Sequence, residues 1–201
     1  NRKKNNGKVL YIRNDYSRYI YRLFSHPIGK YAKLYRDSAD KFLEQLNIRL
    51  LDNTLVRLYE RDQAGTYKNF MKKHTLVKYD NSKDFDYQLR NCKIAVSDTN
   101  QTTFLQSIAL DIPTIIFWNP VSTEIKSDAR SIMDSLNKAK ILHYTPESAA
   151  NFLNHNYDSI DKWWMSRQVR EVRARFISKY VNLTNDLEND WIRFIETELS
   201  E

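Results

Sequence analysis

Apolar residues fall along this chain in two rhythms. Short runs rich in β-branched and aromatic side chains read as strands: residues 8–15 (KVLYIRND), 53–62 (NTLVRLYERD), 75–80 (TLVKYD), 93–98 (KIAVSD), 114–119 (TIIFWN) and 141–144 (ILHY). Between them the apolar positions recur every three or four residues, the period of one helix face. Tyr31, Leu34, Tyr35, Ala39, Phe42, Leu43 and Leu46 form the longest such stripe, within a helix expected over 28–46. Shorter helices are expected near 68–73, 84–92, 102–110 and 127–138, and another opens at Thr145-Pro146-Glu147, with a capping threonine before a first-turn proline. Past Trp164 the strand pattern stops. Residues 166–181 and 186–200 read as terminal helices, the second with Leu187, Trp191, Phe194, Ile195 and Leu199 as its expected buried stripe.

Strands that are apolar on both faces and alternate with helices belong to a parallel sheet covered on both sides. Right-handed crossovers then give an α/β, Rossmann-like, doubly wound domain of about six strands followed by C-terminal helices. The expected organisation is a sheet domain over 1–165, with helices over 166–201 packing on it or on a domain outside the sequence. Only 3 glycines and 4 prolines interrupt 201 residues, so loops are expected to be few.

Composition narrows the class. Hydrophobic residues at 41% and charged residues at 28% are ordinary for a folded globular protein. No apolar run approaches the ~20 residues a membrane span needs. The single cysteine, Cys92, excludes an internal disulfide and is expected to serve packing. A net charge of +7 suits an anionic partner: a phosphorylated ligand, a polyanion or an anionic membrane surface. The basic residues are dispersed, however, except for the N-terminal tip and the stretch Arg167 to Arg175, which reads as a helix with a charged, solvated face. The chain begins Asn1-Arg2-Lys3-Lys4 without methionine and enters a strand at once, so the expectation is part of a longer protein.

In open parallel sheets, ligands bind outside the carboxyl ends of the strands. The loop after the fourth strand is the foremost candidate there. Thr99, Asn100, Gln101, Thr102 and Thr103 lead into a helix whose first amides and positive dipole end attract an anion. One such residue would suffice as a helix cap, and Thr99, Asn100 or Thr102 fits that role, yet the loop offers five. Arg57 and Arg61 bracket the end of the second strand, where a guanidinium fork suits phosphate or carboxylate; ion pairing with Glu60, Asp62 or a neighbouring helix is the alternative. Glu124 could accept from ribose hydroxyls, and Trp118 could stack on a base or sugar, or else belong to the core. His26, in a loop beside Pro27, is a candidate base or phosphate-side donor. His74, His143 and His155 lack metal-ligand spacing, and neither a Walker pattern nor a Gly-x-Gly-x-x-Gly motif is present.

Three segments carry a resemblance. SDTNQTTFLQSIALDIPTIIFWNP, AKILHYTPESAANFLNHNYDSIDKWW and QVREVRARFISKYV, supported by YSRYIYRLFSHPIGKYAKLYRDSADKFLEQL and LVRLYERD, resemble a family of bacterial surface-carbohydrate transferases found at lipopolysaccharide loci. That family is similar in pattern to the C-terminal half of GT-B glycosyltransferases. The resemblance implies two Rossmann-like domains facing across a cleft, with this one holding a nucleotide-sugar donor. It places the donor loop at Ser97 to Gln106, where Gln106 stands near a position at which many such enzymes carry glutamate. It also implies metal-independent chemistry without a cofactor, a glycan or lipid-linked acceptor, and a base supplied by the N-terminal domain, so that this part alone is expected to be inactive. The expected setting is the cytoplasm, at the inner face of an anionic membrane, with no specific nucleic acid. The alternatives are a polyol-phosphate transferase, a nucleotide-sugar epimerase, or a non-catalytic module that binds a polyanion or another subunit.

Overall fold

A computed structural model describes residues 5–14, 30–59, 62, 65–121, 125–181 and 186–199. Six parallel strands lie in the order β3-β2-β1-β4-β5-β6: β1 (Val9–Ile12), β2 (Thr54–Arg57), β3 (Lys78–Tyr79), β4 (Ile94–Ser97), β5 (Thr114–Phe117) and β6 (Leu142–His143). Growth of the sheet reverses direction between β1 and β4. Their registers align Val9 with Ile94 and Ile12 with Ser97, so both strands end at one level. This is the doubly wound architecture expected from the alternation.

The period of two in β1, β4 and β5 sorts side chains onto opposite faces. Val9, Tyr11, Val56, Ile94, Val96, Ile115 and Phe117 form one core with α1 (Lys30–Gln45), α2 (Ile48–Asn53), α3 (Tyr67–Lys73) and α7 (Pro146–Asn156). Phe42 of α1 lies at its centre, fully buried, with its ring 5.0 Å from those of both Tyr11 and Phe117. On the other face, α4 (Phe85–Asn91) contributes Leu89 beside Leu10 and Ala95. There α5 (Thr102–Ala109), α6 (Arg130–Lys138), α8 (Ile160–Trp164) and α9 (Arg167–Tyr180) bury Phe104, Ile108, Leu136, Trp164 and Phe176 together with Ile116 and Trp118. Cys92 is buried, as expected of packing.

Of two expectations for the terminal helices, one is corrected and one finds no partner among the described residues. Trp191, Phe194 and Ile195 of α10 (Leu187–Glu198) and the adjoining Leu199 are half or more exposed, so the apolar stripe there is not buried against the described residues. In α9 the charged face is not wholly solvated. Val169, Val172, Arg173 and Phe176 share the inward stripe, and Arg173 is buried with its guanidinium 3.9 Å from the Trp164 ring centroid.

Asp111 anchors this cluster. It turns the chain after α5 at φ 55°, and its Oδ1 accepts from Trp164 Nε1 at 2.9 Å and from Arg173 Nη1. Removing the carboxylate leaves a buried cation short of its partner and forces an unsuited residue into left-handed backbone. Asp111 itself is largely exposed, which discounts the loss. Asp111→Ala is expected to lower unfolding free energy by about 2 kcal/mol, and Asp111→Asn, which tolerates the backbone, by about half as much, in urea titrations at neutral pH.

Candidate functional site

Ser97 ends β4 at the point where the strand order reverses. Its hydroxyl donates to the Thr99 carbonyl at 2.8 Å, and Ser97, Asp98 and Thr99 are all buried. Thr99 is the last buried residue of the loop. The loop then emerges: Asn100, Gln101 and Thr102 are exposed and Thr103 is half-buried. Gln101 occupies the cap position of α5, and among the described residues no side-chain cap hydrogen bond forms there. Phe104 N–H closes on the Gln101 carbonyl at 3.0 Å, while the amides of Thr102 and Thr103 lie in the first turn, where no intrahelical acceptor exists. Of the two readings of this polar loop, the side-chain cap is therefore not the one adopted. The first-turn amides of α5 stand at the carboxyl edge of the sheet. Gln106 lies one turn on from Thr102 and is exposed like it.

Arg57 forms an ion pair with Asp80, just after β3, a partner the sequence pattern did not name. Its Nη1 lies 2.5 Å from Asp80 Oδ2 and 3.1 Å from the Ser82 carbonyl, and the guanidinium lies 5.0 Å from the Phe85 ring centroid. Burial works to raise the Asp80 carboxyl, but hydrogen bonds from Ser82 and from Arg57 hold it below its ordinary value. Trp118 takes the core alternative: it is 4% exposed and packs among Phe104, Ile132 and Leu142 instead of offering its ring to a base. Arg61, Glu124 and His26 lie outside the described residues. His143 is buried between Ser148 Oγ (2.9 Å) and the Lys140 carbonyl (3.0 Å), and burial lowers its pKa to about 4. Among the described residues no group of three His, Cys, Asp or Glu is placed to hold a metal ion.

The structure adds two residues that the pattern did not single out. Arg13 immediately follows β1 and is 3% exposed, and Asp98 immediately follows β4 and is likewise 3% exposed. Asp98 receives the Tyr11 hydroxyl at 2.9 Å on Oδ2 and the Asn14 amide at 3.2 Å on Oδ1, with a further hydrogen bond from Tyr35 of α1. Tyr35 has one hydroxyl proton, which it shares between Asp98 and the Asn14 carbonyl at 2.7 Å. The carboxylate of one strand exit therefore pins the other. Burial raises the Asp98 pKa to about 6, against the lowering effects of Arg13 and the hydrogen bonds. Because the folded value lies above the unfolded one, folding takes up a proton between about pH 4 and 6, and this group's contribution to stability falls as pH rises through that window. No such signal marks Asp98 in the sequence, where it is one polar residue among seven.

A doubly wound parallel sheet with an exposed helix start at its reversal point defines a Rossmann-like α/β domain. The chain matches the LIC12162 family transferase model over residues 1–195 and belongs to that family. No curated protein matches it at a significant level. Among solved structures, the catalytic domain of cholesterol-alpha-glucosyltransferase from Helicobacter pylori is similar, with a TM-score of 0.50 and 14% identity, over 86% of this chain and 99% of that one. A variant of the wall teichoic acid polymerase TagF is similar with a TM-score of 0.51 and 13% identity, over all of this chain and 47% of that one. At these identities the likeness is one of fold. Family and fold together are glycosyltransferase-like, which agrees with the resemblance read from the sequence. Among the described residues no helix is long and apolar enough to cross a membrane.

Proposed function

We propose that this chain is the donor-binding part of a glycosyltransferase of bacterial surface-glycan synthesis, and that it takes a sugar activated on a nucleotide. The observation that carries the reading is the exposed, uncapped start of α5 at the reversal of the sheet. A diphosphate placed there meets the Thr102 and Thr103 amides, the positive end of the helix dipole and two hydroxyls. These groups stabilise charge that grows on the departing phosphate, chemistry that needs no resident metal or cofactor. Gln106 lies within one turn for sugar or ribose hydroxyls, and Arg57, Arg61 and Glu124 are the flanking candidates. The acceptor would be a glycan or a lipid-linked saccharide, presented from a second domain that also supplies the base. The positive net charge suits an anionic donor and work at the cytoplasmic face of an anionic membrane.

The test is a thermal-shift titration against UDP, CDP, CMP and GDP. Saturable stabilisation by at least one of them, by about 2–3 kcal/mol at a hundredfold excess over its Kd, is the expected result. Stabilisation by none of the four, alongside heparin binding that fades steeply with salt, would replace this reading with the polyanion-binding one.

A further inference from the structure

The edge strand β6 and helix α7 border a cleft of about 300 Å³, two strands away from β4 and apart from the start of α5. Its lining is organised around a buried imidazole. His143 is 1% exposed, and its Nε2 lies 3.0 Å from the carbonyl of Lys140. A carbonyl only accepts, so Nε2 carries the ring proton. Burial lowers the His143 pKa to about 4, and the ring is therefore neutral at pH 7 with a bare lone pair on Nδ1. Ser148 Oγ, 2.9 Å from Nδ1, donates its single proton there. Ser148 is itself exposed, so its oxygen turns lone pairs toward the cleft.

The rim follows the same logic. His155 Nδ1 lies 2.7 Å from the Asn151 carbonyl, so Nδ1 is the protonated nitrogen and Nε2 of the neutral ring is left as an acceptor. Asn156 Nδ2 donates to the Phe152 carbonyl at 2.8 Å, which leaves its Oδ1 to accept. Lys140 is the one fixed cation of the lining, and Phe152 supplies its apolar area. A phosphate dianion, which only accepts, would find Lys140 but otherwise face lone pairs. A sugar ring offers what the cleft lacks. Its hydroxyls donate to the three acceptors and accept from the ammonium, and its C–H face suits an aromatic side chain.

We propose that this cleft binds one sugar ring of a glycan, at a site separate from the one assigned to the nucleotide. Ser148 Oγ, His155 Nε2 and Asn156 Oδ1 accept from ring hydroxyls, Lys140 donates to a sugar oxygen, and Phe152 meets the apolar face. The volume lies at the small end of ligand pockets and suits a single ring rather than a chain of them. No bond is made or broken. The inference goes beyond the donor reading, since it needs no nucleotide, no phosphate and no residue of α5. On that reading it adds a second hold on the glycan, which raises the local concentration of an acceptor end that reacts elsewhere. Lys140 also carries a mark of its own. It closes α6 at φ 63°, a left-handed position that favours glycine, yet a lysine stands there beside the cleft.

The probes are the methyl glycosides of glucose, galactose, mannose and N-acetylglucosamine, followed by amide chemical shifts at neutral pH. At least one should move the amides of residues 148–156 saturably, with a Kd of about 1–10 mM. Ser148→Ala and His155→Ala should each weaken that binding about fivefold. Lys140→Gly should weaken it by a similar factor while raising Tm, because glycine suits the left-handed position better; the opposite signs separate a lost contact from a damaged fold. Inorganic phosphate should move none of these amides. Absence of saturable shifts with all four glycosides, or shifts indifferent to all three variants, overturns the site. Phosphate that binds there and displaces the glycoside overturns its chemistry. Nucleotide stabilisation should be the same in Lys140→Gly as in the wild type, so failure of the sugar site leaves the donor reading standing.

Discussion

Thr102→Glu is expected to eliminate stabilisation by the nucleotide that shifts the wild-type protein most, while making the free protein slightly more stable. The two effects have one origin. At the first position of α5, an exposed carboxylate satisfies the helix dipole and gains roughly 0.5 kcal/mol for the fold. It also occupies the space and reverses the sign that a phosphate needs. A like charge about 5 Å away in partly screened surroundings costs about 3 kcal/mol, roughly a hundredfold in affinity. Thr102→Lys inverts both signs, with a less stable free protein and tighter nucleotide binding at low salt. Opposite movement of apparent Tm and nucleotide shift in the two variants distinguishes a lost site from a damaged fold. Nucleotide stabilisation unchanged by Thr102→Glu would remove the phosphate from the start of α5.

Strands β4 and β5 were legible because each is four residues buried on both faces, a short apolar run rich in β-branched residues. The uncapped loop before α5 was legible for a related reason: its residues are local, and local chemistry is what a sequence displays. Helix α10 was legible as a helix, but no described residue covers its apolar stripe. Periodicity reports an apolar face but not what covers it, and Trp191 and Phe194 remain exposed with their rings 5.8 Å apart. Arg173 was hidden by its identity. It occupies the stripe position between Val172 and Phe176, but only the Trp164 ring and the Asp111 carboxylate make that position tolerable for a cation. The Arg13–Asp98 cluster was illegible on different grounds. Tyr11 and Asp98 are separated by 87 positions and meet only because β1 pairs with β4. Arg57 shows the same limit, since its partner Asp80 is supplied by the β2–β3 pairing.

Phe42→Ala is expected to carry the largest stability loss of any single change considered, and to reach the site from beneath it. Phe42 has no exposed surface and stands between Tyr11 and Phe117, which belong to strands on either side of β4. Truncation removes buried ring surface and two aromatic contacts and leaves a cavity that rigid sheet residues cannot collapse to fill. The expected cost is about 4 kcal/mol in denaturant titration, or roughly a 10 °C fall in Tm. Phe42→Leu, which refills most of the volume, should cost only about 1.5 kcal/mol. Tyr11 adds the functional consequence. Its ring leans on Phe42, while its hydroxyl holds Asp98 Oδ2, so loosening the ring loosens the carboxylate that pins Asn14. At temperatures where Phe42→Ala remains folded, stabilisation by the nucleotide that shifts the wild-type protein most should therefore weaken several-fold, whereas Phe42→Leu should match the wild type. Equal nucleotide stabilisation in a folded Phe42→Ala protein would show that the strand exits are held by their own hydrogen bonds and not by the core below.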